Sequence, residues 1–112
     1  MRGYSKYHNK KTIIDGIVFS SKHEASRYQE LKLLERAGKI KDLALQPSFI
    51  LQDGFMFNNK KISAIKYIAD FKYFDIEKQV EVIEDAKGVK TKEYLIKKKL
   101  FMKRYNKIIV EV

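Results

Sequence analysis

Cysteine is missing altogether from this 112-residue chain, which excludes a disulfide framework and any thiolate metal site. Long apolar runs are missing too. Nothing approaches the roughly 18 to 20 apolar residues needed to span a bilayer, and the opening MRGYSKYHNKK lacks the apolar stretch of a secretory signal. A soluble, cytoplasmic protein with no membrane partner is therefore expected. Histidine is sparse: His8 and His23 have no companion at metal-ligand spacing, so a zinc site is not expected. Internal repeats, linkers and low-complexity tracts are absent as well. One domain over residues 1–112 is the expectation, with 1–11 as a loose basic arm.

Negative charge is in short supply. Against 24 Lys and Arg stand 14 Asp and Glu, a net charge of +10. A field of that sign favours a polyanionic partner, and nucleic acid is the commonest one; an acidic protein, a membrane surface or mere solubility are the competing readings. What is plentiful is apolar and aromatic surface, 45% hydrophobic residues with seven Tyr and seven Phe, too much for a disordered chain.

Along the chain, KTIIDGIVFSS reads as a β-hairpin, because Asp15-Gly16 supplies the positive φ angles of a tight two-residue turn. Ser21-Lys22-His23-Glu24 matches a capping box. It opens a helix whose stripe is Ala25, Tyr28, Leu31, Leu34 and Ala37, and Gly38 stops it. Ile40 and Leu43 are expected to dock the exit segment before Gln46-Pro47. SFILQ then reads as a strand, followed by a turn near Asp53-Gly54 or Asn58-Asn59. In SAIKYIADFKYFD, Tyr67, Ala69, Phe71 and Tyr73 alternate with Lys66, Ile68, Asp70 and Lys72, the period of a strand. After a short turn at Glu77-Lys78, Val80 to Lys87 is the next strand. Thr91 to Tyr105 reads as a lysine-rich helix with Tyr94, Leu95, Phe101, Met102 and Tyr105 on one side, and KIIVEV closes the chain as a strand. The order predicts an α/β (α+β) fold: a mixed β-sheet core, two main helices and an N-terminal β-hairpin.

Three acids and a lysine stand out on this frame. Asp70 lies in a strand otherwise rich in aromatics, where a carboxylate needs a charged or metal partner. Asp85 and Lys87, two apart, share a face of the next strand, and Glu84 between the two faces should point the other way. Bringing Asp70 beside Asp85 requires a bulge or a bend. Glu24 sits in the first turn of the first helix. Carboxylates of this kind suit Mg²⁺, a hard cation that takes one or two of them and keeps several waters. A neighbouring lysine can orient a water or offset charge on phosphorus. The bland readings are a capping role for Glu24, solvation for Asp70, and an ion pair between Asp85 and Lys87.

YIADF (67–71) followed by VIEDAKG (82–88) resembles the PD-(D/E)XK nuclease superfamily, an acid on one strand and acid-x-Lys at the end of the next. DGIVFSSKHEASRYQELKLLERAGKIKDLALQPSFIL extends the likeness to small phage-encoded proteins of that superfamily related to Holliday-junction resolvases. The resemblance covers roughly residues 4–105. It implies a restriction-endonuclease-like fold and Mg²⁺-dependent (or Mn²⁺-dependent) cleavage of DNA, branched DNA above all, by a homodimer with no small-molecule cofactor. Asp70 and Asp85 would be metal ligands, with Glu24 as a third carboxylate, Glu84 in reserve and Lys87 handling the attacking water. Two departures are Ala69 in place of the proline of the superfamily's name and Asp85 where Glu is more frequent. For DNA contact the candidates are Lys6, Lys10 and Lys11 of the arm, interleaved with Tyr4 and Tyr7, and Lys98 on the second helix. The competing functions are an inactive DNA-binding module and an adaptor of a replication complex.

Overall fold

A computed structural model describes residues 11–86 and 90–112. The order of elements is β1 (Thr12–Ile14), β2 (Ile17–Phe19), α1 (Lys22–Arg36), β3 (Ile40–Leu45), β4 (Ser48–Gln52), β5 (Phe55–Phe57), β6 (Lys60–Ile62), β7 (Ile65–Ile68), β8 (Phe71–Asp75), β9 (Val80–Asp85), α2 (Lys92–Tyr105) and β10 (Val110–Glu111). The central sheet has strand order β10-β9-β8-β3 and is mixed, with β10 parallel to β9 and the remaining pairs antiparallel. Each helix has its own core. Ala25, Tyr28 and Leu31 of α1 pack with Phe19, Ile40, Phe71 and Tyr73, whereas Tyr94 and Phe101 of α2 pack with Leu51, Tyr67, Ala69, Ile83 and Ile109. The fold is thus of the mixed α/β class expected, with the N-terminal hairpin in place.

Local chemistry accounts for the ends of the elements. Asp15 and Gly16 hold φ of 54° and 76°, so the β1–β2 turn takes the twist that matches its strands. Ser21 caps α1 by accepting the amide of Glu24 at 3.1 Å. At the other end Gly38, at φ 75°, donates to Glu35 O, and Lys39 donates back to Leu34 O, the paired bonds of a Schellman motif. Thr91 caps α2 in the same way as Ser21 caps α1, and Asn106 ends it in the left-handed conformation.

Four expectations need correction. The exit segment of α1 is a strand, β3, at the edge of the central sheet. Its apolar residues fall at 40, 43 and 45 because a bulge at Asp42, φ 57°, breaks the two-residue period. The run from Ile65 to Asp75 is two strands: β7 pairs with β4 and β8 with β9. On α2, Leu95 and Met102 are exposed, since they lie on the flank of the stripe formed by Tyr94 and Phe101. The last strand is only Val110–Glu111. No helix among the described residues is long and apolar enough to cross a membrane.

Candidate active site

The break between β7 and β8 falls at Asp70. The amide of Asp70 donates to Glu84 O at 3.1 Å, and Glu84 is already the register partner of Phe71. Two residues of this strand thus stand against one of β9, the arrangement of a β-bulge. Residues 67, 69, 71 and 73 are all buried, yet Tyr67 and Ala69 enter the α2 core while Phe71 and Tyr73 enter the α1 core. The extra residue exchanges the faces, and Asp70 is that residue.

The bulge turns the Asp70 carboxylate toward the end of β9, where Oδ2 accepts the amide of Ala86 at 2.7 Å. That amide belongs to the Asp85–Ala86 peptide, whose carbonyl accepts the amide of Val112 at 3.0 Å. Val112 O in turn lies 2.9 Å from Nε2 of the exposed His23 at the start of α1. The peptide carrying Asp85 is therefore pinned on one side by Asp70 and on the other through the C-terminal strand to α1. On the other flank the Asp70 carbonyl accepts the amide of Gln46 at 2.9 Å.

Asp70 shares a cleft of about 140 Å³ with Glu24 and Gln46, walled by Ile17, Val18, Phe19, Leu45 and Phe71. Glu24 is 7% exposed. Its Oε1 turns back to the amide of Ser20 at 3.4 Å, one residue before the N-cap, a loose version of the capping box. Capping and lining the cleft are compatible. Asp85 is 1% exposed and lies outside that cleft, on the α2 side, where the Tyr67 hydroxyl donates to it at 2.5 Å. Burial, and then the bond to Asp85, push the Tyr67 phenol well above its ordinary range, so it stays a donor.

Glu84 faces the other way, as alternation requires. It is also 1% exposed, but Arg27 grips it with a two-pronged fork, Nε at 2.8 Å and Nη2 at 2.6 Å, and the Tyr73 hydroxyl adds a short bond. The bond to Glu84 raises the Arg27 guanidinium further above its already high range. Glu84, the reserve ligand of the sequence reading, is thus tied to Arg27 and Tyr73 on the α1 side. Lys98 is likewise engaged: its Nζ is 3.1 Å from Glu111, which also accepts Tyr94 Oη at 2.6 Å and pairs with Lys90 at 3.0 Å. The Tyr94 and lysine bonds hold the Glu111 carboxyl down at about 2. Lys11 is exposed, while Lys6, Lys10 and Lys87 lie outside the described residues.

Could these residues hold a metal? Among the described residues no three Asp, Glu or His side chains are gathered as a metal cage. All the donors on offer are oxygen, which suits a cation that takes one or two carboxylates and completes its shell with water and phosphate oxygens. Asp70 and Glu24, which share the cleft, offer two such carboxylates, whereas Asp85 lies outside it on the α2 side. Gln46, Tyr67 and Arg27 were not legible as site neighbours. Gln46 at φ 49° is in the left-handed region just before Pro47, and nothing in Gln-Pro announces that conformation.

A family profile described as a protein of unknown function (DUF1064) matches residues 4–111. The chain belongs to the DUF1064 family. No curated protein matches it, and no solved structure matches it. Within this DUF1064 chain the match spans both helices and every strand, so the Asp70 bulge and the Glu24 helix start belong to the region that defines the family.

Proposed function

We propose that this DUF1064 chain is a Mg²⁺-dependent endodeoxyribonuclease of the PD-(D/E)XK kind, acting on branched DNA during phage DNA metabolism in the cytoplasm of a bacterial host. The observation that carries the reading is the bulge at Asp70, which aims its carboxylate at the peptide bearing Asp85 and opens the same residue onto a cleft with Glu24. A strand residue displaced in this way is costly without a purpose, and bulges concentrate beside active sites. The net charge of +10 supports a nucleic-acid substrate.

In this reading Asp70 and Asp85 would hold the cation, with Glu24 as a third carboxylate directly or through water. Mg²⁺ bound there would supply a more acidic water and neutralise charge on the scissile phosphate. Lys87, two residues beyond Asp85, orients the attacking water. The water oxygen would bond to phosphorus and give up a proton to solvent as the phosphorus–oxygen ester bond breaks, and the departing oxygen would take up a proton from solvent. Symmetric cleavage of a junction calls for two such sites, hence a homodimer.

A nuclease assay on a four-way junction, a flap and linear duplex with Mg²⁺ or Mn²⁺ tests the proposal. Cutting that needs metal and disappears in Asp70→Ala, with DNA binding retained, is the expected result; full cutting by Asp70→Ala would sink the mechanism. A second reading is a DNA-binding module without activity, for which the net charge of +10 would suffice. Metal-independent binding with no cutting of any of the three substrates would select it.

A further inference from the structure

Strands β4 and β7 form an antiparallel pair, and β5 and β6 continue outward from it as a hairpin. The whole is a ribbon whose root is the candidate site: Ala69 N donates to Pro47 O, and Gln46 N to Asp70 O. At its far end Asn58 and Asn59 hold φ of 48° and 63°, a tight two-residue turn. Gly54 is needed at the hairpin's base, because a Cβ there would meet Ile62 O at 2.9 Å. The hairpin is therefore built, not slack. Among the described residues the backbones of β5 and β6 run close to each other and to no other element.

A two-stranded hairpin is marginal in water unless something covers it. Here the tip exposes Met56 by 65% and Phe57 by 62%, and their register partners are Lys61 and Lys60. Between residues 48 and 68 the only acid is Asp53, which stands 3.6 Å from Arg104 at the ribbon's base. Self-association through the tip would set lysines against lysines. A polyanion that also offers flat apolar faces meets both features. DNA with disturbed stacking is such a partner: phosphates for the lysines, unstacked bases for the aromatic ring.

We propose that the β5–β6 hairpin is a DNA wedge, placing Met56 and Phe57 against unstacked bases at a branch point while Lys60 and Lys61 hold the flanking phosphates. It rests on the nuclease reading for its substrate and explains how a site without base contacts would prefer branched DNA: the ribbon ties the wedge mechanically to Asp70.

The test is binding to a four-way junction and to linear duplex in EDTA, by fluorescence anisotropy, with 2-aminopurine at the branch as a reporter of unstacking. Met56→Ala/Phe57→Ala is expected to weaken junction binding roughly tenfold, to change duplex binding less than about twofold, and to abolish the 2-aminopurine response. Lys60→Gln/Lys61→Gln should weaken both substrates and lower the salt slope by about two. Circular dichroism and the melting temperature report folding, which should hold because Met56 and Phe57 are largely exposed. Unchanged junction binding and unchanged 2-aminopurine signal in the first variant overturn the wedge, even if the protein cuts DNA. Loss of both in a protein that never cuts leaves the wedge standing and removes the nuclease. A dimer that dissociates in Met56→Ala/Phe57→Ala during sedimentation makes the tip a self-association surface and also overturns it. Failure of the unaltered protein to bind either DNA overturns both proposals.

Discussion

Glu84 and Asp85 are neighbours in sequence and equally buried, yet the two faces of the sheet treat them differently. On the α1 side Glu84 is met by a guanidinium fork and a phenol, so its charge is balanced inside the core. On the α2 side Asp85 receives the hydroxyl of Tyr67, and its backbone is clamped between Asp70 and Val112. A buried carboxylate locked to an arginine is a structural cross-link between β9 and α1. A buried carboxylate met by a phenol, beside a second acid displaced by a bulge, is the one the proposed nuclease would use. The comparison teaches that two equally buried carboxylates can be satisfied in quite different ways on the two faces of one sheet.

The largest expected effect lies on the Asp85 side. Asp85→Asn keeps the shape and an acceptor for Tyr67, and should lower cutting by about a thousandfold or more while the protein stays folded. Initial rates on a junction, alongside a urea melt, check both halves. On the Glu84 side the expected result is the reverse. Glu84→Ala leaves Arg27 facing a vacated core and should cost about 3 kcal/mol of stability, read from the urea midpoint, with little change in rate per folded molecule. The joint replacement Arg27→Met/Glu84→Leu should recover much of that loss, since an apolar pair of similar volume often serves as well. If instead Glu84→Ala stops cutting without destabilising the fold, the division of labour is wrong.

Smaller effects sharpen the comparison. Tyr67→Phe removes a donor from a buried carboxylate and should cost about 1 to 2 kcal/mol, with a reduced cutting rate if the phenol aims Asp85. Glu111 gives the pH dependence. Its carboxyl sits at about 2 when folded against an ordinary 4.5, so its contribution is fully present above about 4.5 and fades as pH falls through about 2. Melting temperatures of the unaltered protein and Glu111→Gln should differ at pH 6 and converge near pH 2. A gap that stays constant over that range would refute the assignment.

Much of this could be read in the chain. The Asp15-Gly16 turn, the Ser21 cap, the Gly38 stop and the opposed faces of Glu84 and Asp85 follow from local rules. So does the burial of residues 67, 69, 71 and 73. What alternation cannot reveal is a bulge, because an extra residue exchanges the faces while the buried positions stay two apart; this hid both the split at Asp70 and the strand at Ile40–Leu45. The Lys98–Glu111 pair was hidden for another reason, since its partners belong to different elements whose packing only the fold sets. The Arg27–Glu84 fork, spanning 57 positions, is of the same kind.

The turn between β8 and β9 illustrates how far a site can extend. It comprises Ile76 to Gln79, is tied by Lys78 N to Asp75 Oδ1 and by Ile76 N to Lys39 O, and sits roughly 15 Å from Glu84 along the hairpin. Its length, together with the buried faces of both strands, fits the register in which Phe71 pairs with Glu84. One residue more or fewer would slide β9 by a step, and Arg27 would then close on residue 83 or 85 while Glu84 turned toward Tyr67. Surface turns ordinarily drift in length between relatives. An insertion or deletion at 76–79 would therefore exchange the surroundings of both buried acids, and the proposed nuclease requires that the turn keep its four residues.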